Sequence, residues 1–274
     1  MIDYEAEYNN RARWPDHPAI IAGWARDAAA FRETNPPQVI PYGPGERQKI
    51  DLFRAEPDRS TPLVLFIHGG YWQALDRSFF SHLASGVNAH GIAFAVAGYD
   101  LCPAVTVGAI VDQMRAAAIE LSRFGDRLTA VGHSAGGHLA ACPLATNWRA
   151  VDPRHRRDLV GAAYAISGLF DLGPLVGTSI NGALGLDAAE AERQSPLFFE
   201  PPTGLSIDAV VGSEESGEYH RQSRTLVERW TKSGVAARYE AVPDATHFTV
   251  IAPLADPASA MTKRVAELAR TVSS

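Results

Sequence analysis

Val131-Gly132-His133-Ser134-Ala135-Gly136-Gly137 decides the reading of this chain. An apolar run, Arg127-Leu128-Thr129-Ala130-Val131, leads into it, and a helix-forming run, Gly137-His138-Leu139-Ala140-Ala141, leads out. Gly-x-Ser-x-Gly between a strand and a helix is the signature of a nucleophile elbow, a turn so sharp that only glycines fit beside the serine. The strained backbone holds the hydroxyl of Ser134 up at the end of a sheet. Alone the pattern is weak, since at ordinary Gly and Ser frequencies about one chain in ten of this length carries it by chance. The flanking strand and helix make it specific.

Working outward, Leu63-Val64-Leu65-Phe66-Ile67 is a continuous apolar run, the mark of a strand covered on both faces. Before it, Gln38–Pro41 and Gln48–Phe53 read as strands, with Tyr42-Gly43-Pro44-Gly45 as the turn of an antiparallel pair. Apolar spacing over Pro15–Arg32 predicts an amphipathic helix ahead of them. After Ile67 the chain alternates. Helices are expected over Asp76–Ala89, Val107–Arg123, Gly217–Lys232 and Pro257–Val272, and strands over Ile92–Ala97, Leu159–Ile166, Ser206–Val211 and Ala236–Val242. Such alternation implies right-handed crossovers and a mostly parallel sheet with helices on both faces. The expected plan is one α/β domain over residues 1–274, with an N-terminal helical segment (1–35) and a small cap insertion (169–202). Trp14, Trp24 and Leu175 supply apolar surface for a small lid over Ser134 formed by these two segments.

Bulk properties narrow the function. With 46% hydrophobic and 20% charged residues in 274, the chain can bury a full core and is globular. A net charge of −6 argues against a nucleic-acid partner, because phosphate binding needs a cationic surface. The one basic cluster, Arg154-His155-Arg156-Arg157, reads as a solvated loop. The N-terminus lacks the apolar core of a signal peptide, and no run approaches the ~20 apolar residues that span a bilayer. Cys102 and Cys142 make no disulfide framework in a chain this large and read as core residues. A cytoplasmic protein with a small-molecule substrate is expected, without membrane or nucleic-acid partners; a homodimer is left open. There is no Gly-x-Gly-x-x-Gly after a first strand, and no HExxH or Cys-x-x-Cys, so neither a dinucleotide cofactor nor a metal is expected.

His68-Gly69-Gly70-Tyr71-Trp72 follows the Leu63–Ile67 strand directly. Acyl transfer puts negative charge on the former carbonyl oxygen, and backbone N–H groups aimed at that point stabilise it. A glycine pair at a strand end lets the main chain come close to a substrate. The N–H groups of Gly70 and Tyr71, with that of Ala135, are the expected oxyanion hole. A serine hydroxyl also needs a base. Of nine histidines, His247 is best placed, in the loop after the strand Ala236–Val242. The acid that orients it belongs after the strand Ser206–Val211, where Gly212–Glu218 holds three glutamates and no aspartate. Residue type alone leaves Glu214, Glu215 and Glu218 open, with Asp244 expected to shape the turn before His247.

These motifs resemble those of the α/β-hydrolase arylformamidases, or kynurenine formamidases, and their esterase relatives. The resemblance rests on His68-Gly69-Gly70-Tyr71-Trp72 and Gly132-His133-Ser134-Ala135-Gly136-Gly137-His138-Leu139. It extends over Tyr8-Asn9-Asn10-Arg11, Tyr99–Pro103, Ser167–Leu172 and Ser195-Pro196-Leu197. It implies the α/β-hydrolase fold and hydrolysis of an aryl formamide such as N-formyl-L-kynurenine through an acyl-enzyme, with no cofactor. The register of Glu218-Tyr219 and Gln222-Ser223 sets Glu215 where the family has an aspartate, a departure from its pattern. Tyr71, Trp72 and Phe170 are the expected aromatic walls of the substrate pocket. The same chemistry admits a carboxylesterase for short acyl esters. A different class, a hydrolase-fold protein that binds a ligand without turning it over, is disfavoured by an intact Ser134, His247 and glycine pair.

Overall fold

A computed structural model describes residues 2–55 and 62–273. Eight strands form one sheet: β1 (Gln38–Pro41), β2 (Lys49–Phe53), β3 (Leu63–Ile67), β4 (Ala93–Ala97), β5 (Leu128–His133), β6 (Val160–Ile166), β7 (Ser206–Gly212) and β8 (Ala236–Val242). Their spatial order is β1-β2-β4-β3-β5-β6-β7-β8. The first two strands pair antiparallel with each other, and β2 with β4; every later pairing is parallel. The expected Tyr42–Gly45 turn joins β1 to β2.

Strand alternation sorts the core into two layers. Leu63, Leu65 and Ile67 of β3 face one side with Val107, Leu139 and Tyr219, while Val64 and Phe66 face the other with Trp24, Val87 and Val265. Cover on both faces is what a continuous apolar strand demands.

In chain order the helices are α1 (Tyr4–Tyr8), α2 (Asn10–Arg13), α3 (His17–Thr34), α4 (Ala84–Asn88), α5 (Val107–Leu121), α6 (Ala135–Leu144), α7 (Trp148–Val151), α8 (Asn181–Leu184), α9 (Ala188–Arg193), α10 (Gly217–Lys232) and α11 (Ala260–Ser273). Thr106 caps α5, its hydroxyl accepting from the N–H of Ala109 at 3.2 Å. The Asp76–Ala89 stretch departs from the expected helix. Two 3₁₀ turns, Arg77–Phe79 and Ser81–Leu83, precede the short α4. The Asp76 carboxylate accepts the N–H of Ser78, and Gly86 lies so close to the Leu254 carbonyl that a Cβ would sit 2.0 Å from it. The segment is bent around its neighbours.

Cys102 and Cys142 are buried free thiols, as core residues should be. Arg154 and Arg156 pair with Asp152 and Asp158 on the surface. Among the described residues, no helix is long and apolar enough to cross a membrane.

Candidate active site

Ser134 sits between β5 and α6 at φ 60°, ψ −120°, where a non-glycine residue is strained. The surroundings hold it there. Its N–H donates to the Ile166 carbonyl on β6 at 2.8 Å, and its carbonyl accepts from Gly137 at 2.8 Å. A Cβ on Gly132 would lie 1.9 Å from the Gly136 carbonyl oxygen, and one on Gly136 would lie 1.9 Å from that of Ile67. The glycines of the motif are therefore required by close approach of backbones.

The loop after β8 brings His247 to this serine. Its Nε2 lies 3.1 Å from Ser134 Oγ, and its Nδ1 lies 2.7 Å from Glu215 Oε2. The second oxygen of Glu215 accepts from the Ser167 hydroxyl at 2.5 Å and from the Gly212 N–H at 2.7 Å. Burial pushes the Glu215 carboxyl up; facing His247 and those two donors pulls it down, and the net shift is downward. A carboxylate fixed in this way makes Nδ1 the protonated ring nitrogen, leaving Nε2 free to accept from the serine hydroxyl.

The other acids lie elsewhere. Glu214 is exposed, and its N–H donates to the Ala245 carbonyl. Glu218 accepts from the Tyr8 hydroxyl at 2.7 Å and pairs with Arg221. Asp244 is exposed at φ 55° and shapes the turn before His247.

The loop after β3 presses against the nucleophile: a Cβ on Gly69 would lie 3.0 Å from that of Ser134. Gly70, Tyr71 and Trp72 take φ of 106°, 50° and 56° in succession. Two non-glycine residues in this region are costly, of order 1–3 kcal/mol each, so other contacts must over-determine the loop. The Tyr71 hydroxyl donates to the Tyr8 carbonyl at 2.6 Å, and the Trp72 carbonyl accepts from Cys102 at 2.8 Å. Tyr99 donates to the His68 carbonyl and stacks on the His68 ring at 4.2 Å. The N–H groups of Gly70 and Tyr71 find no protein acceptor among the described residues, and that of Ala135 opens α6, where the first turn has none.

A cavity of about 50 Å³ opens over Ser134, lined by Asn10, Arg11, Ile21, Trp24, Gly70, Tyr71, Leu75, His133, His247 and Phe248. Tyr71 is the one expected aromatic wall among them. Trp72 and Phe170 are not, which corrects their assignment to the pocket. Trp72 is fully buried with its ring edge-on to His138, and Phe170 fills the space above Gly168. Aromatics at strand ends served packing at both positions.

The lid expectation is met on one side only. The N-terminal segment lies over the cavity through Asn10, Arg11, Ile21 and Trp24, whereas no residue of 169–202 lines it. That stretch instead braces α1, where Ser179 donates to Glu5, and α6, where the Gln194 carbonyl accepts from His138 Nε2.

Sequence reasoning missed Ser167, His133 and Phe248 as parts of the site. His133 Nε2 donates to the His247 carbonyl at 2.8 Å and so fixes the loop that carries it. Burial, reinforced by the nearby His247, pushes the His133 imidazole down to about 3, keeping it neutral. Its place inside the elbow motif was the available signal.

The comparisons agree with this fold. A family model described as alpha/beta hydrolase family matches residues 64–273. The kynurenine formamidase of Danio rerio is 30% identical over 235 residues, 82% of this chain and 78% of that protein. A crystal structure from Silicibacter sp. TM1040, described as a provisionally assigned thioesterase, is 33% identical with a TM-score of 0.84, covering 97% of this chain and 99% of that one. A Pyrobaculum calidifontis esterase shares the fold at a TM-score of 0.71 and 16% identity, over 94% of this chain and 92% of its own. An eight-stranded, mostly parallel sheet bearing a strained serine on an elbow, matched over most of its length to hydrolytic enzymes, leaves one placement: the chain belongs to the alpha/beta hydrolase family, is a hydrolase, and is a relative of the kynurenine formamidases.

Proposed function

We propose that this hydrolase is a serine enzyme that deformylates aryl formamides, with N-formyl-L-kynurenine as its candidate substrate. The observation that carries the reading is the unbroken hydrogen-bond chain Ser134–His247–Glu215 opening onto a small, partly aromatic cavity. Ser134 Oγ attacks the formyl carbon while His247 Nε2 takes its proton. The oxyanion is met by the N–H groups of Gly70, Tyr71 and Ala135. His247 then passes the proton to the departing nitrogen, the C–N bond breaks, and the arylamine leaves. Water attacks the formyl-serine with His247 as base, releasing formate and restoring Ser134.

Substrate size supports the choice of acyl group. A cavity of about 50 Å³, far below the 300–1,000 Å³ of drug-sized ligand pockets, has room for formyl, the smallest acyl group, and leaves the aryl leaving group at its mouth. Trp24, Tyr71 and Phe248 offer apolar faces to an aryl ring, and Arg11 is the one cation among the lining residues.

A second reading, a carboxylesterase or thioesterase for short acyl groups, draws on the provisionally assigned thioesterase at 33% identity. Parallel assays of formate release from N-formyl-L-kynurenine and of p-nitrophenyl acetate hydrolysis separate the two. Formamide turnover is expected to dominate; ester turnover with no formate release would reject the proposal.

A further inference from the structure

Three polar side chains join the N-terminal segment to the floor of the cavity, and their protons can be assigned without ambiguity. The Tyr71 hydroxyl donates to the Tyr8 carbonyl at 2.6 Å, so it can only accept from Tyr219, whose hydroxyl lies 2.7 Å away. Tyr219 has then spent its own proton and can only accept from Asn10, 2.8 Å distant. The Asn10 group facing Tyr219 must therefore be the NH₂. The flipped amide would leave two tyrosine oxygens 2.7 Å apart with no proton between them.

This order leaves Asn10 Oδ1 as the free end of the amide. Asn10 is 2% exposed and is among the residues lining the cavity over Ser134, and its Oδ1 has no hydrogen-bond partner among the described residues. A buried acceptor without a donor is costly, and a ligand that brings an N–H or O–H recovers the cost.

We propose that Asn10 is a specificity-determining residue whose Oδ1 accepts a hydrogen bond from the N–H of the scissile amide, selecting amides over esters. The inference rests on the deformylase reading above and deepens it. An ester offers an oxygen where an amide offers N–H. Placed against a buried carbonyl oxygen, the ester leaves that acceptor unpaired and adds lone-pair repulsion. Sites built to bond a substrate N–H can reject analogues lacking it by up to about 10⁴–10⁵. The interaction also holds the N–H away from His247 Nε2, so that the nitrogen lone pair faces the proton it must receive as the C–N bond breaks.

The test compares formanilide with phenyl formate, which share acyl and aryl groups and differ at NH against O. For Asn10→Ala the ratio of amide to ester kcat/KM should fall at least tenfold, whereas loss of a merely structural residue would lower both substrates alike. An equal fall for both overturns the Asn10 role and leaves the deformylase reading standing. Wild-type enzyme that hydrolyses phenyl formate but not formanilide overturns both. If Asn10→Ala does not fold, the wild type still decides: N-methylformanilide, which lacks the N–H, should be at least 100-fold poorer than formanilide. Turnover of the two within threefold would reject the role.

Discussion

Glu215 reaches His247 with one carboxylate oxygen, at 2.7 Å, and spends the other on Ser167 and the Gly212 N–H. The added methylene of glutamate relative to aspartate is accommodated because the loop folds back: the Glu215 N–H donates to the Gly212 carbonyl at 3.1 Å, and a Cβ on Gly212 would lie 2.2 Å from the Ala245 carbonyl oxygen. The loops after β7 and β8 are thereby pressed together at the glutamate. If Glu215 sets the His247 tautomer, Glu215→Gln should lower kcat by roughly 10³–10⁴ with little change in KM. Glu214→Gln, on the exposed side of the same loop, should cost less than threefold. Steady-state kinetics on both variants check this, and equal losses would remove Glu215 from its role.

Ser134→Ala and His247→Ala should each abolish turnover, since nucleophile and base act as a unit and losing either costs on the order of 10⁶ in kcat. A fluorophosphonate probe reads the same point directly, labelling wild type and sparing Ser134→Ala. Retention of a tenth of wild-type activity by either variant would reject the pair.

Much of this was legible in sequence because it depends on local chemistry. The covered strands announce themselves as apolar runs, and Gly217–Lys232 was bounded by its own periodicity. Gly132 and Gly136 flank Ser134 because backbones touch there. What stayed hidden depends on contacts distant in sequence. Asn10 meets Tyr219 across 209 positions, and Ser167 meets Glu215 across 48. Trp72 and Phe170 look like pocket walls on composition, but direction decides, and a residue at φ 56° in a buried loop does not reveal its direction in sequence. The bent Asp76–Ala89 stretch has helical spacing that packing against Leu254 overrides.

Three buried imidazoles predict how stability responds to acid. Burial pushes His68 and His138 down to about 4 and His133 to about 3, from an ordinary 6.5. Between pH 6.5 and 4 the unfolded chain binds protons at these positions that the native state refuses, so stability falls as pH falls through that window. Each site contributes about 1.4 kcal/mol per pH unit once well inside it. Below pH 4.5 the depressed carboxyl of Glu215 adds a further loss. His138→Gln keeps an amide N–H for the Gln194 carbonyl and removes one titration of four, since burial also pushes His82 down, so the slope of unfolding free energy between pH 6 and 5 should fall. Urea unfolding at the two pH values measures it; an unchanged slope would show that His138 does not titrate with folding.

Gly136→Ala should be far more damaging than its single methyl suggests. The new Cβ would stand 1.9 Å from the Ile67 carbonyl oxygen and 2.8 Å from that of His68, both main-chain atoms at the end of β3. Backbone cannot rotate aside as a side chain can, so α6 or the loop after β3 must shift. A loss exceeding about 3 kcal/mol is expected, in the range reserved for overpacking at a constrained site. Gly182→Ala, whose Cβ meets nothing within 4 Å, is the control and should unfold like wild type. Comparable melting of the two variants would show that the elbow relaxes.

Arg11 gives the remaining test of the proposed substrate. It is exposed, lines the cavity mouth beside Asn10, and makes no ion pair among the described residues. N-formyl-L-kynurenine carries a carboxylate on its amino-acid arm, whereas formanilide carries none. An exposed charge pair is worth about 0.2–1 kcal/mol, so Arg11→Ala should raise KM for the kynurenine substrate by only about two- to fivefold. The increase should shrink as salt is raised, because a pair at the surface is screened over a Debye length of about 10 Å at 0.1 M. For formanilide the same substitution should leave KM insensitive to salt. A KM rise of equal size for both substrates would mean that Arg11 shapes the cavity mouth without reading the carboxylate, and the anionic arm would have to be held by another group.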